Sequence, residues 1–312
     1  MGFALETYHR RRLEGMTEVF NAETACEPHI ARLTPELFVE LAEKKSHFDA
    51  NGVFVAVDGD AVLGWVHACV APGSEPHHDP ATPIAQIRML IYPGDQLKVG
   101  GALVAEATRW LKGSGQTRLL AIHAQNGYPF YRGLWMGGEP MCPNSLPHLQ
   151  LALEVGGYRN TQESIFMSAR VADAPPECSA AVPVELLDEP AEMKHEGMRE
   201  SWAGFEPVWT RALLNGEQVG SMGWVVLPHL TETLGAPAMS IWCLGVSEQH
   251  RRKGIAAALI SRAMRQSYAQ GTRFASVGTQ LWNAPAHATY AKFGFTPHCV
   301  MVGRTLELAA ET

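Results

Sequence analysis

The stretch VSEQHRRKGIAAAL, from Val246 to Leu259, contains three consecutive cations followed by a glycine, an isoleucine and three alanines. The first turn of a helix has unpaired backbone N–H groups and a partial positive charge, so small residues there let a phosphate approach the backbone. Arg251, Arg252 and Lys253 add positive charge just before Gly254. Taken alone, the stretch fits either a solvated helix start or a phosphate-binding loop.

The composition is typical of a globular protein with ample apolar material for a core. The chain has 312 residues, of which 46% are hydrophobic and 18% charged, and its formal net charge is −7. This acidic balance predicts no nucleic acid and no membrane surface as the main partner. Six widely spaced cysteines favour reduced thiols and a cytoplasmic location. The sequence shows no signal peptide and no membrane span, and it leaves open a monomer or a homodimer.

The sequence contains the same structural unit twice. VDGDAVLGWV (Val57–Val66) and LNGEQVGSMGWV (Leu214–Val225) each predict a β-hairpin. A buried strand and an amphipathic helix follow in both copies, with Leu103 and Leu259 as anchors 156 positions apart (259 − 103). A further strand and helix complete each unit. We therefore predict three segments: a first domain over 1–172, a linker over 173–182 and a second domain over 183–312.

One long insertion distinguishes the first copy. Gly157 and Gly294 are only 137 positions apart (294 − 157), so the first copy has 19 extra residues (156 − 137). The inserted segment, 125–147, is rich in glycine, proline and aromatic residues, and such loops are often functional. Its part Tyr128–Trp135 is a candidate wall or lid for a substrate, although it fits equally well as a cover for a sheet edge.

A second motif lies downstream in NAPAHATYAKFGF, which contains Asn283, Tyr290 and a helix-ending Gly294-Phe295. Together with Arg251-x-x-Gly254-x-Ala256, it resembles the GCN5-related N-acetyltransferase (GNAT) superfamily over roughly 183–307. The resemblance implies an α/β (α+β) fold, with two tandem GNAT folds that each have a mixed, mostly antiparallel central sheet flanked by helices. The layout is also similar to that of mycothiol synthase, but no substrate motif extends that likeness to its chemistry.

The resemblance also implies acetyl-CoA as co-substrate, no metal, and a set of site residues. Tyr290 would protonate the departing CoA thiolate, since a phenol is a neutral proton donor. Asn283 would hydrogen-bond the pantetheine arm, and a backbone N–H near Leu244–Gly245 would stabilise the oxyanion. The remaining cofactor-binding residues would be Leu244, Gly245 and Val246 along the pantetheine, and Arg251, Arg252, Lys253, Gly254, Ile255, Ala256 and Ala257 around the pyrophosphate.

Several of these residues have an ordinary structural alternative. Tyr290 fits a core tyrosine, and Asn283 fits a helix N-cap, a role that it could combine with ligand binding. We expect Cys243 to be a small buried cysteine rather than a nucleophile. The adjacent His77, His78 and Asp79 are interpreted as a solvated loop, because neighbouring residues rarely converge on one metal ion.

The first copy departs from the motif at four positions that carry chemistry, and we therefore predict that it is catalytically degenerate. Gly100 and Gly101 stay opposite Ala256 and Ala257, which leaves residual cofactor binding open. Leucine can neither donate a proton nor accept a hydrogen bond, and an acidic residue opposes phosphate binding. The substituted positions are Asp95 opposite Arg251, Lys98 opposite Gly254, Leu146 opposite Asn283 and Leu153 opposite Tyr290.

The predicted activity is the transfer of an acetyl group from acetyl-CoA to the primary amine of a small molecule by direct attack. The base that deprotonates the amine is open between His229, Glu232 and a chain of water molecules. Two other functions are open as well: a non-catalytic acyl-CoA-binding or regulatory protein, and a protein or peptide N-acetyltransferase.

Overall fold

The structure, a computed structural model, describes residues 2–72, 83–122, 130–137, 142–171, 173–194 and 196–308. The predicted solvated loop with His77, His78 and Asp79 lies outside the described residues, as does Tyr128 of the insertion. Within the described ranges, one mixed sheet of 13 strands carries helices on its faces. No helix of these ranges combines the length and the apolar character needed to cross a bilayer.

In its described residues, the first sequence unit contributes seven strands and four α-helices. The strands are β1 (Ala4–Thr7), β2 (Val53–Asp58), β3 (Ala61–Pro72), β4 (Pro83–Ile91), β5 (Arg118–Ala121), β6 (Cys142–Pro143) and β7 (Arg159–Arg170). The helices are α1 (Leu13–Glu23), α2 (Pro35–Phe38), α3 (Leu97–Lys112) and α4 (Pro147–Val155).

The second unit repeats the central order of hairpin, strand, helix, strand, helix and strand. Its strands are β8 (Glu185–Pro190), β9 (Val208–Leu214), β10 (Glu217–Leu227), β11 (Ala238–Val246), β12 (Phe274–Gln280) and β13 (Thr296–Glu307). Its helices are α5 (Glu196–Ser201), α6 (Thr231–Leu234), α7 (Ile255–Ala269) and α8 (Ala284–Ala291). The β9–β10 hairpin turns through Asn215 and Gly216, whose φ angles of 53° and 82° are those that a tight two-residue turn requires.

The two units exchange their last strands. The order across the sheet is β1-β2-β3-β4-β5-β13-β7-β12-β11-β10-β9-β8. Strand β13 of the second unit pairs with β5 of the first, from Arg304 opposite Ala121 to Glu307 opposite Arg118. Strand β7 of the first unit pairs with β12 of the second, from Phe274 opposite Arg170 onwards. Each unit therefore completes the other's sheet, and the hydrogen-bonded ladder runs without a break from one unit to the other.

Three apolar cores follow from this arrangement. One core lies under α3 and α4 of the first unit and another under α7 and α8 of the second. The third is shared, since it contains Phe20 and Trp65 of the first unit together with Leu227 and Leu230 of the second. Phe166 of β7 enters the shared core, whereas its neighbour Met167 enters the second unit's core. Because successive strand residues point to opposite faces, these two cores cover opposite faces of the sheet.

Candidate active site

Strands β11 and β12 separate halfway along their length. They pair in parallel only from Ala238 opposite Phe274 to Ile241 opposite Val277. Beyond that point β11 follows β10, while the last three residues of β12 stay paired with β7. A V-shaped gap therefore opens between β11 and β12, and it exposes backbone on both sides.

A β-bulge at Cys243 accompanies this separation. The register of β10 against β11 shifts between Ser221 and Gly223, and Cys243 has a φ of 51°. Cys243 is exposed, so our expectation of a buried cysteine was wrong. The bulge is the physical reason, because the extra residue on β11 breaks the alternation that would have turned this side chain into a core. Such strained non-glycine residues occur preferentially at functional sites.

The end of β11 presents hydrogen-bonding groups to the gap. The Ser247 N–H donates to the Val219 carbonyl of β10 at 2.9 Å. In an antiparallel ladder the N–H and C=O groups alternate in direction along a strand. The preceding residue, Val246, therefore points its own N–H and C=O away from β10. The Val246 carbonyl accepts instead from Nε of Arg251 at 3.2 Å. A ligand that paired with this carbonyl would lie beside the Arg251 side chain or replace it.

The loop after β11 turns sharply into helix α7. Arg252 and Gly254 have left-handed φ angles of 61° and 79°, and Gly254 is the N-cap residue of α7. The following residues Ile255, Ala256 and Ala257 form the first helical turn, whose N–H groups have no partner within the helix. Arg251 and Arg252 are exposed, and the two alanines are half-buried. The first turn of α7 therefore offers unpaired N–H groups, and phosphate binding there stays a prediction.

The predicted linker packs on this helix start. The Ala181 N–H donates to the Lys253 carbonyl at 2.8 Å. Farther along α7, Ser261 Oγ donates to the Pro176 carbonyl at 2.6 Å and accepts from the Cys178 N–H at 3.0 Å. The boundaries of the linker stay a prediction, but its residues are an ordered wall of the candidate site. The sequence analysis missed this wall, since its alanine- and proline-rich composition is also typical of a free connector.

Helix α8 positions Asn283 and Tyr290. Asn283 is the N-cap residue of α8: its side-chain oxygen accepts from the Ala286 N–H at 3.4 Å, and Nδ2 donates to Thr279 Oγ1 at 3.3 Å. The N-cap alternative is therefore correct, and a second role toward a ligand stays a prediction.

Tyr290 lies two helical turns beyond Asn283, in the second unit's core. Tyr290 is 4% exposed, and the centre of its ring lies 5.8 Å from the centre of the Phe295 ring. Burial raises the pKa of Tyr290 to about 12, and the nearby Cys243 thiol adds to the shift. The phenol therefore keeps its proton at neutral pH, as a proton donor must.

The corresponding groove of the first unit is filled. Strand β5 ends at Ala121, opposite Ile87 of β4, and the four residues of β4 from Arg88 to Ile91 are all buried. The Tyr92 ring lies against Gly100 in the first turns of α3, and its hydroxyl donates to the His148 carbonyl of α4. The side chains of the first unit thus occupy the space that is open in the second.

Leu146 and Leu153 occupy the same helix positions as Asn283 and Tyr290 of the second unit, but their side chains carry no polar group. Leu146 is the N-cap residue of α4 and makes no side-chain cap hydrogen bond. Leu153 is fully buried in the first unit's core.

We expect Gly100→Ala to lower the free energy of unfolding by about 1–3 kcal/mol, as overpacked core substitutions do. A β-carbon at this position would overlap the Tyr92 ring, which is held by the His148 carbonyl. Urea unfolding measures the change. Gly101→Ala is the matched control, because no atom lies within 4 Å of the position that its added methyl group would take; it should be neutral or slightly stabilising. Equal stability of the two variants would contradict the filled groove.

The described part of the insertion is buried in the shared core. Phe130, Tyr131, Leu134, Trp135 and Met136 are all buried in the shared core. The insertion also reaches the second unit, because a β-carbon at Gly133 would meet the rings of Phe205 and His229.

The structure does not place His229 and Glu232 at the gap. Both lie in the connection between β10 and β11, next to Ala238, whereas the gap opens at Trp242, roughly 13 Å farther along the strand. The His229 ring packs 5.6 Å from Phe205, and burial lowers its pKa. Neither side chain is brought to Tyr290.

Within the described ranges, no group of three or more His, Cys, Asp or Glu side chains is arranged to hold a metal ion. The end of β11 runs into the loop and first turn of α7. Tyr290 lies in the core of the second unit, and it is close enough to Cys243 of β11 for the thiol to affect its pKa.

Comparison with known proteins relates this part of the chain to a family. Residues 176–295 match the sequence profile described as the Acetyltransferase (GNAT) family. Residues 176–295 are therefore similar to the GNAT family. The profile covers β8 to α8 and therefore includes the gap, the α7 loop, Asn283 and Tyr290, but it ends before β13. No curated protein matches the sequence significantly.

Solved structures extend the GNAT fold to the whole chain. A GCN5-related N-acetyltransferase from Sphaerobacter thermophilus is 13% identical with a TM-score of 0.65, covering 99% of this chain and 97% of its own. A tandem GNAT protein from the clavulanic acid biosynthesis pathway is 16% identical with a TM-score of 0.61, covering 100% of both chains. A GCN5-related glucosamine N-acetyltransferase region of a fungal multi-domain β-N-acetylglucosaminidase is 14% identical with a TM-score of 0.66, covering 97% of this chain and 38% of that one. The protein therefore has a two-domain GNAT fold.

Proposed function

We propose that the protein is an N-acetyltransferase that transfers the acetyl group of acetyl-CoA to the primary amine of a small molecule. The observation that carries this proposal is the difference between the two units. The second unit has an open gap between β11 and β12 that leads to the helix start at Gly254, whereas Tyr92 and its neighbours fill the matching groove of the first.

The residues of the second unit fit acetyl-CoA. The outward-pointing backbone of Val246, with Leu244 and Gly245 beside it, offers an edge to the amides of the pantetheine arm. The first turn of α7 offers N–H groups to the pyrophosphate, and Arg251, Arg252 and Lys253 add charge. These assignments, and the role of Asn283 toward the pantetheine, are part of the proposal.

The chemistry that acetyl-CoA supplies when bound is an activated acetyl thioester. Tyr290 donates its proton to the leaving sulfur and regains one from solvent. A backbone N–H of the bulged segment at Leu244–Gly245 stabilises charge on the thioester oxygen. The amine nitrogen forms a bond to the acetyl carbon as the carbon–sulfur bond breaks. We assign the amine's proton to water, because His229 and Glu232 lie away from the gap.

The size of the nearby cleft supports a small acceptor. A cleft of about 670 Å³ lies beside the end of α5, within the range that small-molecule sites occupy. Its lining includes Trp202, Phe205 and Glu206. A cytoplasmic location also belongs to the proposal. It is supported by the five cysteines whose side chains the structure describes, since all of them are free thiols.

A thiol-release assay on a panel of small amines, with mass spectrometry of the products, tests the function. Formation of an N-acetylated amine together with stoichiometric CoA supports it. Acetylation of peptides alone would establish the protein acetyltransferase instead. Tight acetyl-CoA binding with no turnover on any amine or peptide would establish the regulatory protein.

We expect one molecule of acetyl-CoA to bind per chain. The reason is that the second unit has an open groove, while the Tyr92 hydroxyl and the His148 carbonyl close the groove of the first. Isothermal titration calorimetry with acetyl-CoA measures the stoichiometry directly. Two equivalents per chain, with the second abolished by a substitution in α3, would contradict the filled groove.

A further inference from the structure

The end of helix α5 is held by the first unit at three successive residues. The Glu200 carboxylate accepts from the Ser46 N–H and from Ser46 Oγ, the latter at 2.6 Å. The Glu200 carbonyl accepts from Nζ of the buried Lys45 at 3.1 Å. Ser201 and Trp202 contact the first unit in turn, through one arginine of the insertion.

That arginine is Arg132, which makes two different contacts with α5 and its end. Its Nε donates to Ser201 Oγ at 2.6 Å, and its guanidinium carbon lies 4.0 Å from the centre of the Trp202 ring. Arg132 is 4% exposed. A cation over an indole is worth more when both are shielded from water. Only a planar guanidinium can stack on a ring and donate in its own plane at the same time.

Trp202 also contacts β11, the strand that carries the bulge. Its other face stacks on Trp242, with ring centres 4.9 Å apart and planes inclined by 29°. The Trp242 ring lies flat against Gly223 of β10, where a β-carbon would overlap it. Trp242 directly precedes Cys243, the bulged residue at which β11 leaves β12.

The two indoles lie on the side of the sheet from which an acceptor can approach. Ile241 points into the core under α7, so its neighbour Trp242 points to the opposite face. Tyr290 belongs to the α7 side. Trp202 is also a lining residue of the 670 Å³ cleft. The Trp202–Trp242 stack therefore separates this cleft from the bulged segment.

We propose that Arg132 is a positioning residue for the acceptor side of the active site. The first unit, which has lost its own cofactor groove, holds Trp202 against Trp242 through Arg132 and so sets the wall along which the amine reaches the gap. This inference rests on the proposed function for its kinetic consequence, but the clamp itself is independent of it.

Two variants, Arg132→Met and Arg132→Lys, test the proposal in the full-length protein. Methionine keeps much of the apolar stem, and lysine keeps the charge without the planar fork. We expect the KM for an amine turned over in the panel to rise about tenfold, the equivalent of losing a shielded cation–π contact. The Kd for acetyl-CoA should change by less than about twofold, because Arg132 does not reach the α7 loop.

A spectroscopic readout separates this proposal from the proposed function. Two stacked indoles produce an exciton couplet in far-ultraviolet circular dichroism, and Trp242→Phe in the otherwise unchanged protein assigns that couplet. Both Arg132 variants should weaken it even if no amine in the panel is acetylated. Arg109→Met is the control, since Arg109 is exposed on α3 and pairs there with Glu106; it should change neither the couplet nor the KM.

The proposal is overturned if a folded Arg132 variant keeps the full couplet, or if its amine KM equals that of the wild type while the amine is turned over. If Arg132→Met does not fold, the couplet and the amine KM of Arg132→Lys provide the test. Ser201→Ala provides a graded check, since it removes the 2.6 Å hydrogen bond but leaves the ring contact. Its effects should have the same direction and a smaller size.

Discussion

Tyr290→Phe is expected to lower kcat by about 10²–10³-fold, the usual contribution of a general acid. The substitution removes one hydroxyl from a ring that is 4% exposed and otherwise packs against Phe295. The fold and the acetyl-CoA site are therefore preserved, and the Kd for acetyl-CoA should stay within about twofold of the wild type. Initial rates of thiol release at saturating acetyl-CoA measure the loss.

The pH dependence follows from the direction of the pKa shift. Burial raises the pKa of Tyr290 to about 12, which favours its neutral form. The phenol therefore stays protonated at every pH well below 12. Ionisation of this acid should lower the activity only as the pH approaches that pKa. Any ascending limb at lower pH would then belong to the amine, whose neutral form attacks.

Tyr268→Phe is the matched control for this prediction. Tyr268 lies near the end of α7 and stacks on the guanidinium of Arg273 at 4.0 Å, far along the helix from the Gly254 loop. The same loss of a hydroxyl there should leave kcat unchanged. A Tyr290→Phe enzyme with wild-type kcat would exclude the proposed acid role and return Tyr290 to a purely structural one.

Gly254→Ala is expected to weaken acetyl-CoA binding by about tenfold to a hundredfold, since left-handed strain costs roughly 1–3 kcal/mol and is relieved by moving the loop. Gly254 has a φ of 79°, and a β-carbon there would lie 3.3 Å from Cα of Ala180 in the docked linker. Either the loop or the linker must shift, and the N–H groups of the first turn of α7 shift with them. Calorimetric titration with acetyl-CoA measures the change.

Gly235→Ala is the control that distinguishes backbone strain from an effect on acetyl-CoA binding. Gly235 has a φ of 77° at the end of α6, and no atom lies within 4 Å of the added methyl position. Both variants should therefore lose similar stability, whereas only Gly254→Ala should lose affinity for acetyl-CoA. Equal affinity in the two variants would show that the α7 loop does not hold the cofactor.

The local parts of the site could be predicted because short-range rules specify them. The spacing of Asn283 from Tyr290 predicts an N-cap followed by a residue two turns into a helix, and the structure has both. Gly254 occupies a left-handed position that glycine adopts without strain. The comparison of the two copies predicted that Leu146 and Leu153 take the places of Asn283 and Tyr290, and the structure has them at matching positions of α4 and α8. The catalytic degeneracy of the first unit stays a prediction.

The parts that could not be predicted depend on contacts between distant segments. The exposure of Cys243 depends on a bulge that appears only when β11 pairs with β10. The contact of Ala181 with Lys253 joins a connector to a loop far along the chain, and proline-rich composition does not distinguish a docked connector from a free one. Arg132 and Trp202 come from different units, and neither belongs to a motif.

The sequence by itself determined the duplicated unit, the shared order of hairpin, strand, helix, strand and helix, and the copy that keeps the acetyltransferase motifs. Periodicity, turn residues and motif spacing act over a few residues at a time. Only the tertiary structure decided that β7 and β13 change places, that Tyr92 fills the first groove, and that Arg132 of one unit holds Trp202 of the other. A strand's pattern of apolar residues specifies which face is buried but not which edge it pairs with. That choice is made by the two free sheet edges when the units meet.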